Sequence, residues 1–508
     1  MEWLKSSVSA CLSASPCAEE SPQQQPAALP KLGRAIRDTV DATIHSDLNA
    51  ALRDLSVQIH GHPELGYQEF IASELLSNYM EAQGFAVTRE AFELETAFVA
   101  VFRHAGTRRG HFDSEPVKVG FCAEMDALPG LGHACGSFFN ILIIEYWTLL
   151  TWMDALLQQD TVRLQDNRYL CVVVRLTKHL IAIAGVAAAL AVKEAAVKHD
   201  LPVQVTLYGT PAEEGGGGKV RMLQRGAFVD DDICLMLHPE DGDNCLPTCL
   251  AMQWMEVTYI GKAAHAAASP WDGINALDAL TSAFTNISHL RQQLLPTDRV
   301  HGIITNGGSK SNIIPDLTTA KFIARAPTSE RLDVLVEKVV ACFSAAAQSS
   351  GAQLDLEYSM RYSNLRSNPT LARLYQREME RRGIAFPSDD EMRAESAGST
   401  DFGDVSHAVP GLQPMFSIGF PGVEVHTKPF VEAAGSIAAH EHTLSAAAGL
   451  ASAALTVVAH PKLRKRIRDE FDHGTSDLTV GPIAKQPVSE RSALLLASSP
   501  PPPYAPVV

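Results

Sequence analysis

The sequence predicts an α/β layer protein with a largely buried sheet, interrupted once by a compact α+β unit. Three observations carry this. Helix-period and strand-like apolar runs alternate from about residue 45, the texture changes at Met252, and the first texture returns near residue 364.

Residues 1–40, rich in Ser, Pro, Gln and Ala (SPQQQPAALP), read as disordered. Residues 46–60 and 70–83 carry helical spacing. VKVGFCAEMD reads as a strand, IAIAGVAAALAVKEAAVKHD as a helix, and VQVTLYGT and ICLMLH as strands, which completes residues 41–250. Within 251–363, WMEVTYIG, VHGIITNGG, LTTAKFIARA and LDLEYSMRY are strand-like, while NALDALTSAFTNISHLRQQL and VLVEKVVACFSAAAQS are helical. TLARLYQREMERRG, a helix, and QPMFSIGFPG, a strand, return the chain to the first layer over 364–462. The tail 463–508 opens basic (KLRKRIRDEF), ends in SSPPPPYAPVV and reads as disordered. Its Pro run suits a ligand for a proline-recognising domain or a solvated tail. No internal repeat is visible.

Composition narrows the function classes. A chain of 508 residues with 46% hydrophobic content supports two or three domains with real cores. The net charge of −16 argues against nucleic acid or an anionic membrane as main partner. Nine Cys, an odd number without framework spacing, fit a reducing compartment. MEWLKSSVSACLSASPCAEE lacks the apolar core of a signal peptide, so a cytoplasmic location is expected.

Chemistry concentrates at strand ends. Pro211-Ala-Glu-Glu-Gly-Gly-Gly-Gly-Lys219 follows VQVTLYGT. A phosphate-binding loop fails here, because both the required earlier Gly and the Ser/Thr after the Gly-Lys pair are missing. Adjacent carboxylates on a glycine-rich turn suit one Glu on a metal and its neighbour as general base; a solvated acidic turn is the bland alternative. His238 ends ICLMLH, Asp126 ends another strand, and His426 follows the returning one. In Gly132-His-Ala-Cys-Gly-Ser-Phe-Phe-Asn140, His133 and Cys135 stand two positions apart in a small-residue turn. Cys, His and carboxylate at one sheet edge form a transition-metal set suited to Zn, Mn or Co.

In their order, IHGHPELGYQEF, AEMDALPG, GHACG, PAEEGGGG, GKAAHAAASPWDGINALDAL, SNIIPD, GSTDFGDVSH and the late His426 resemble the two-metal amidohydrolase and exopeptidase family of aminoacylases and auxin-conjugate hydrolases. The branch most resembled is the one that looks like β-alanyl dipeptidases, over about residues 45–460. The resemblance implies a zinc-exopeptidase-like α/β catalytic domain with an inserted α+β lid that makes a dimer contact. It implies Cys135, Glu214, His238 and His426 as ligands of divalent metal, two ions per subunit, with Glu213 as general base. Asp126 would orient a ligand, and the role of Glu124 stays open. His265 resembles a lid histidine that completes the partner subunit's site. Asn312 and Arg325 resemble the groups that hold the substrate carboxylate, though a plain salt bridge also explains Arg325. Ser399 and Thr400, in the loop Gly398–Asp401, would line the pocket wall.

One departure is sharp. Relatives read Gly-His-Ala-Cys-Gly-His-Asn/Asp and run straight into a helix beginning Leu-Ile-Ala. Here GHACG stops at Gly136 and HLIAIAGVAAALA resumes at His179. His179 therefore reads as the missing ligand, displaced by residues 137–178, although GHACGHLIAIAG is one residue short of the usual spacing. The segment contains the apolar stretch Phe138–Leu157, interrupted by Asn140, Glu145 and Asp154. An in-frame translated intron, a lineage-specific insertion and a membrane- or partner-binding element compete to explain it. Loop closure costs only about a few kcal/mol. The segment's apolar face, however, has no evident burial place beside a tight turn, and a long excursion compromises ligand placement, which favours the intron. His133 could substitute as the nitrogen ligand or simply shape the turn.

The sequence is thus expected to encode a metal-dependent hydrolase that cuts the amide of small N-acyl amino acids or dipeptides, β-alanyl dipeptides favoured, as a homodimer. The rivals are a p-aminobenzoyl-glutamate-type hydrolase and a catalytically dead scaffold whose metal motif the insert has split.

Overall fold

The computed structural model describes residues 29–106, 115–129, 174–175, 178–394 and 398–474. The readings of His133, Cys135, the Phe138–Leu157 stretch and the Pro-rich tail lie outside these residues.

A six-stranded sheet organises the larger unit, in the order Ala86–Arg89, Phe98–His104, Val203–Thr210, Val117–Glu124, Ile233–Leu235, Gly411–Leu412. The first three strands pair antiparallel and the rest parallel. Val117–Glu124 and Val203–Thr210 are buried along almost their whole length, as central parallel strands covered on both faces must be. Helix His179–His199 packs on this sheet and against helix Ile437–Ala459. Gly185 permits the approach, since a Cβ there would overlap the Cys122 carbonyl. Both helices are apolar enough to cross a membrane by length and composition, and both owe this to their place in the core, where 83% of each apolar window is buried.

The smaller unit is a four-stranded antiparallel sheet in the order Arg299–Asn306, Leu317–Ala326, Ala251–Ile260, Gln353–Tyr362. Helices Ala276–Leu290 and Ser329–Ser350 cover one face. Capping sets where these helices begin: Asn275 accepts from the N–H groups of Leu277 and Asp278, and Thr328 from that of Arg331. Gly351, at φ 76°, terminates the second helix in the left-handed conformation. Val257, Leu280, Phe322, Leu335 and Phe343 give this unit a core of its own.

Three boundaries depart from the sequence reading. The N-terminal stretch expected to be disordered through residue 40 is helical over Arg34–Ile44, because Val40 and Ile44 reach the main core. The tail expected to be disordered from 463 is helical over Pro461–His473. There Leu463 and Ile467 share a buried face, and Lys465–Asp469 and Arg466–Glu470 pair one turn apart. ICLMLH also divides. Ile233–Leu235 stays in the large sheet, whereas His238–Glu240 leaves it to pair with Met415–Ser417.

Candidate active site

The site forms where the parallel strands end, the edge at which open α/β sheets bind ligands. Glu124 closes its strand in register with Thr210, so the loop after Thr210 turns directly over it. That loop, Pro211 to Gly218, is tightly wound, with φ of 53° at Ala212, 138° at Gly215 and 61° at Gly217. A Cβ at Gly218 would overlap the Pro211 carbonyl, and one at Gly217 the Met360 side chain. Those glycines let the backbone fold under the second domain's edge strand. Glu69 accepts from Ala212 N at 2.8 Å and Asp126 from Glu214 N at 2.9 Å. Tyr362, ending a strand of the smaller domain, accepts from Gly217 N at 3.1 Å and donates to the Glu213 carbonyl at 2.8 Å. Each Glu of the pair is thereby presented from a backbone held on both sides.

Two lysines enter this acidic edge, and sequence reasoning assigned a role to neither. Lys178 stands immediately before helix His179–His199, and only 3% of its side chain is exposed. Its ammonium is in short contact with Glu213 and lies 3.3 Å from both Glu124 and Glu214. Lys219, fully buried, donates to Glu124 at 2.6 Å and to Asp401 at 2.7 Å, while its backbone N–H meets the other Asp401 oxygen at 2.9 Å.

The charges respond accordingly. Burial alone would raise the Glu124 carboxyl, but the Lys178 and Lys219 ammoniums bring it down to about 2. Burial opposes the charged form of Lys178, yet Glu124, Glu213 and Glu214 together hold it well above the ordinary lysine range. Glu213 moves the other way: burial, then the neighbouring carboxylates, lift it well above the usual range against the pull of Lys178. Burial likewise raises Glu214, and lifts Asp401 to about 6. His238 is pushed down to about 4 by burial and is neutral at physiological pH.

A cavity of about 580 Å³ opens above this edge. Glu213, Glu214, His238 and His426 line it from the catalytic side, Trp254 and Arg325 from the smaller domain. Ser399 and Thr400 are on its wall, and Ser399 accepts from Arg325 at 3.0 Å. Glu240, Asp241 and Asp243 form an acidic rim that sequence reasoning also missed. Their signal was present as PEDGD directly after His238.

Three predicted residues lie elsewhere. His265 is exposed on the smaller domain, its Nδ1 accepting from Ala267 N and Ala268 N. Asn312 is exposed beside it, its carbonyl accepting from Ala266 N at 3.1 Å. His179 is buried against His60, ring centroids 4.6 Å apart, with Nε2 3.3 Å from the Ala434 carbonyl. The carboxylate cluster receives Lys178 instead, so the structure does not bring His179 to Glu213 and Glu214 as the sequence reading expected.

The donor chemistry here suits a divalent cation. Asp126 Oδ1 and His238 Nδ1 are buried without a hydrogen-bond partner among the described residues, and Glu124 Oε2 has the Lys178 ammonium 3.3 Å away. The arrangement as it stands does not. The Lys178 ammonium holds the space between the carboxylates, and among the described residues no three His, Cys, Asp or Glu side chains gather as an ion requires.

The chain has clear relatives. The peptidase dimerisation domain family matches residues 251–350, the smaller domain. A human Xaa-Arg dipeptidase is 38% identical over 82% of this chain and 88% of that protein. A p-aminobenzoyl-glutamate hydrolase chain of Escherichia coli is 27% identical over 86% of this chain and 95% of its own length. A Bacillus subtilis dinuclear metal binding peptidase from the M20 family shares the fold, with TM-score 0.50 and 15% identity over 79% of this chain and 98% of that one. On this similarity, spanning both the catalytic domain and its inserted lid, the chain belongs to the M20 peptidase family of hydrolases.

Proposed function

We propose that the cavity serves hydrolysis of the amide bond in small dipeptides and N-acyl amino acids, with β-alanyl dipeptides bearing a cationic second residue favoured. One observation carries this. Glu213 and Arg325 face the same cavity, one from the sheet edge and one from the lid. Arg325, braced by Ser399, offers a planar guanidinium to a substrate carboxylate, with Thr400 beside it. Glu213, its carboxyl raised by burial, can take a proton from the attacking water and return it to the leaving amine. Asp126 steadies Glu214 through the backbone hydrogen bond. The acidic rim of Glu240, Asp241 and Asp243, together with the similarity to Xaa-Arg dipeptidases, supports a cationic side chain in the substrate.

His265 and Asn312 are stitched together on the exposed lid, which supports a role at the partner subunit's site in a homodimer. The proposed ligand set for two Zn, Mn or Co ions is Cys135, Glu214, His238 and His426, joined by His179 only when residues 137–178 are absent. A cytoplasmic location completes the proposal.

The test is amine release from a panel of β-alanyl-arginine, β-alanyl-lysine, N-acyl amino acids and p-aminobenzoyl-glutamate, with the full chain and with a chain lacking 137–178. The shortened chain is expected to cleave the basic dipeptides. Cleavage confined to the aryl-glutamate would establish the rival hydrolase, and an inert shortened chain would leave only the scaffold reading.

A further inference from the structure

We infer that Lys178 is the resident cation of the carboxylate cluster: its ammonium stands among Glu213, Glu214 and Glu124 and excludes a divalent ion from Glu214, so the chain that carries it shuts its own metal site. The inference rests on the hydrolase reading for the purpose of the cluster, but ion binding tests it without any substrate.

The geometry is particular. A surface lysine pairs with one carboxylate and keeps its ammonium in water. Lys178 instead has a nearly buried side chain and contacts three carboxylates that come from two strand ends: Glu124 from one, Glu213 and Glu214 from the loop after the other. An ammonium held by three carboxylates carries the charge sign of a metal ion and stands against the proposed ligand Glu214. A divalent ion could join Glu214 only by expelling Nζ, because the two cations would otherwise stand at ion-pair distance in a water-poor setting. Expulsion is opposed from behind. The residue after Lys178 begins a helix whose first two turns are fully buried and which Gly185 locks against the Cys122 carbonyl, so the backbone bearing the ammonium cannot retreat with it.

Lys178 is also the last residue of the segment 137–178 that interrupts the GHACG motif. The same segment that separates Cys135 from helix His179–His199 therefore delivers the blocking charge.

The experiment uses the full chain and its Lys178→His, Lys178→Ala and Lys178→Arg variants. Zn and Mn are titrated calorimetrically into protein stripped with chelator, and melting is recorded in chelator and in added ion. Wild type and Lys178→Arg are expected to melt at one temperature in both media and to bind no ion tightly. Lys178→His and Lys178→Ala are expected to bind at least about a hundredfold more tightly than wild type. Both should melt lower in chelator, where the carboxylates lose their counter-charge, and recover in Zn or Mn. Glu214→Gln added to Lys178→His should abolish the gain, which places the ion at the cluster. If the wild-type chain takes up ions as tightly as Lys178→His, or if the Lys178 variants melt low and no ion restores them, Lys178 is not the occupant of a metal site. Dipeptide hydrolysis, scored separately on the same samples, tells a failure of the catalytic reading from a failure of this one.

Discussion

Replacing Lys219 by Met tests whether buried charge, rather than glycine geometry alone, holds the catalytic loop. The lysine is fully buried and serves two carboxylates that are themselves 0–1% exposed, Asp401 and Glu124. Methionine keeps most of the volume and removes the charge and all three ammonium protons. Deleting one partner of a buried ion pair costs about 3–5 kcal/mol. Asp401 is stranded outright while Glu124 keeps the Lys178 ammonium, so the loss belongs within that range, about 3–5 kcal/mol, unless protons replace the ammonium. This sets the pH dependence. In the wild-type chain the Glu124 carboxyl lies down at about 2, so it contributes stability above the ordinary carboxylate range and loses it as pH falls toward that value. In the variant both carboxyls rise, and a raised acid favours the fold only below its folded value. The deficit should therefore be largest at neutral pH and should shrink toward pH 5, with Asp401, already lifted to about 6, protonating first. Urea unfolding of both proteins at about pH 7.5 and about pH 5, followed by near-UV circular dichroism to report the larger domain, measures it. A deficit under about 1 kcal/mol, or one that does not change with pH, would refute the account.

Further outcomes follow from the same geometry. Deleting residues 137–178 removes Lys178 and brings His179 next to Gly136; ion content, solubility and dipeptide hydrolysis should rise together, and Asn inserted after His179 should raise them further. A soluble full-length chain loaded with two ions and more active than the deletion form would sink this. In that shortened chain, Glu213→Gln should keep ion stoichiometry and lose about a hundredfold or more in turnover, while unchanged turnover would reverse the roles within the Glu pair. Mixing His265→Ala with Glu213→Gln should restore activity through hybrid dimers, and no recovery despite demonstrated subunit exchange would remove the trans role of His265. Burial pushes Glu69, which holds the loop through Ala212 N, up to about 7. As a raised acid it adds stability at low pH that disappears as pH climbs through 7, so Glu69→Gln should flatten the melting-temperature profile between about pH 6 and 8.5.

What was legible in the sequence was local, and what was not legible depended on partners far away along the chain. Strand runs such as VQVTLYGT and helices such as IAIAGVAAALAVKEAAVKHD declare themselves by apolar period, and both are present in the structure. The Glu213–Glu214 pair was visible because its glycines encode the turn that presents it. Lys219, in the same stretch, was read only against a phosphate-loop pattern, since its partner Asp401 lies 182 positions away. Lys178 did leave a trace. Joining Gly136 to His179 made the motif one residue short, and that missing residue is the clue. If Lys178 is placed directly after GHACG, the helix LIAIAG falls into its usual register, with Lys178 at the position of the ligand histidine and His179 at that of the polar residue behind it. Helix packing then decides the matter. Gly185 must meet the Cys122 carbonyl and the helix's apolar residues must stay in the core, so the register is set by burial along the whole helix. A preference for histidine over lysine among carboxylates is a far weaker constraint than shifting that helix by one residue. The first position before it therefore goes to whatever residue the sequence supplies, and here that residue is a cation already paired with the carboxylates.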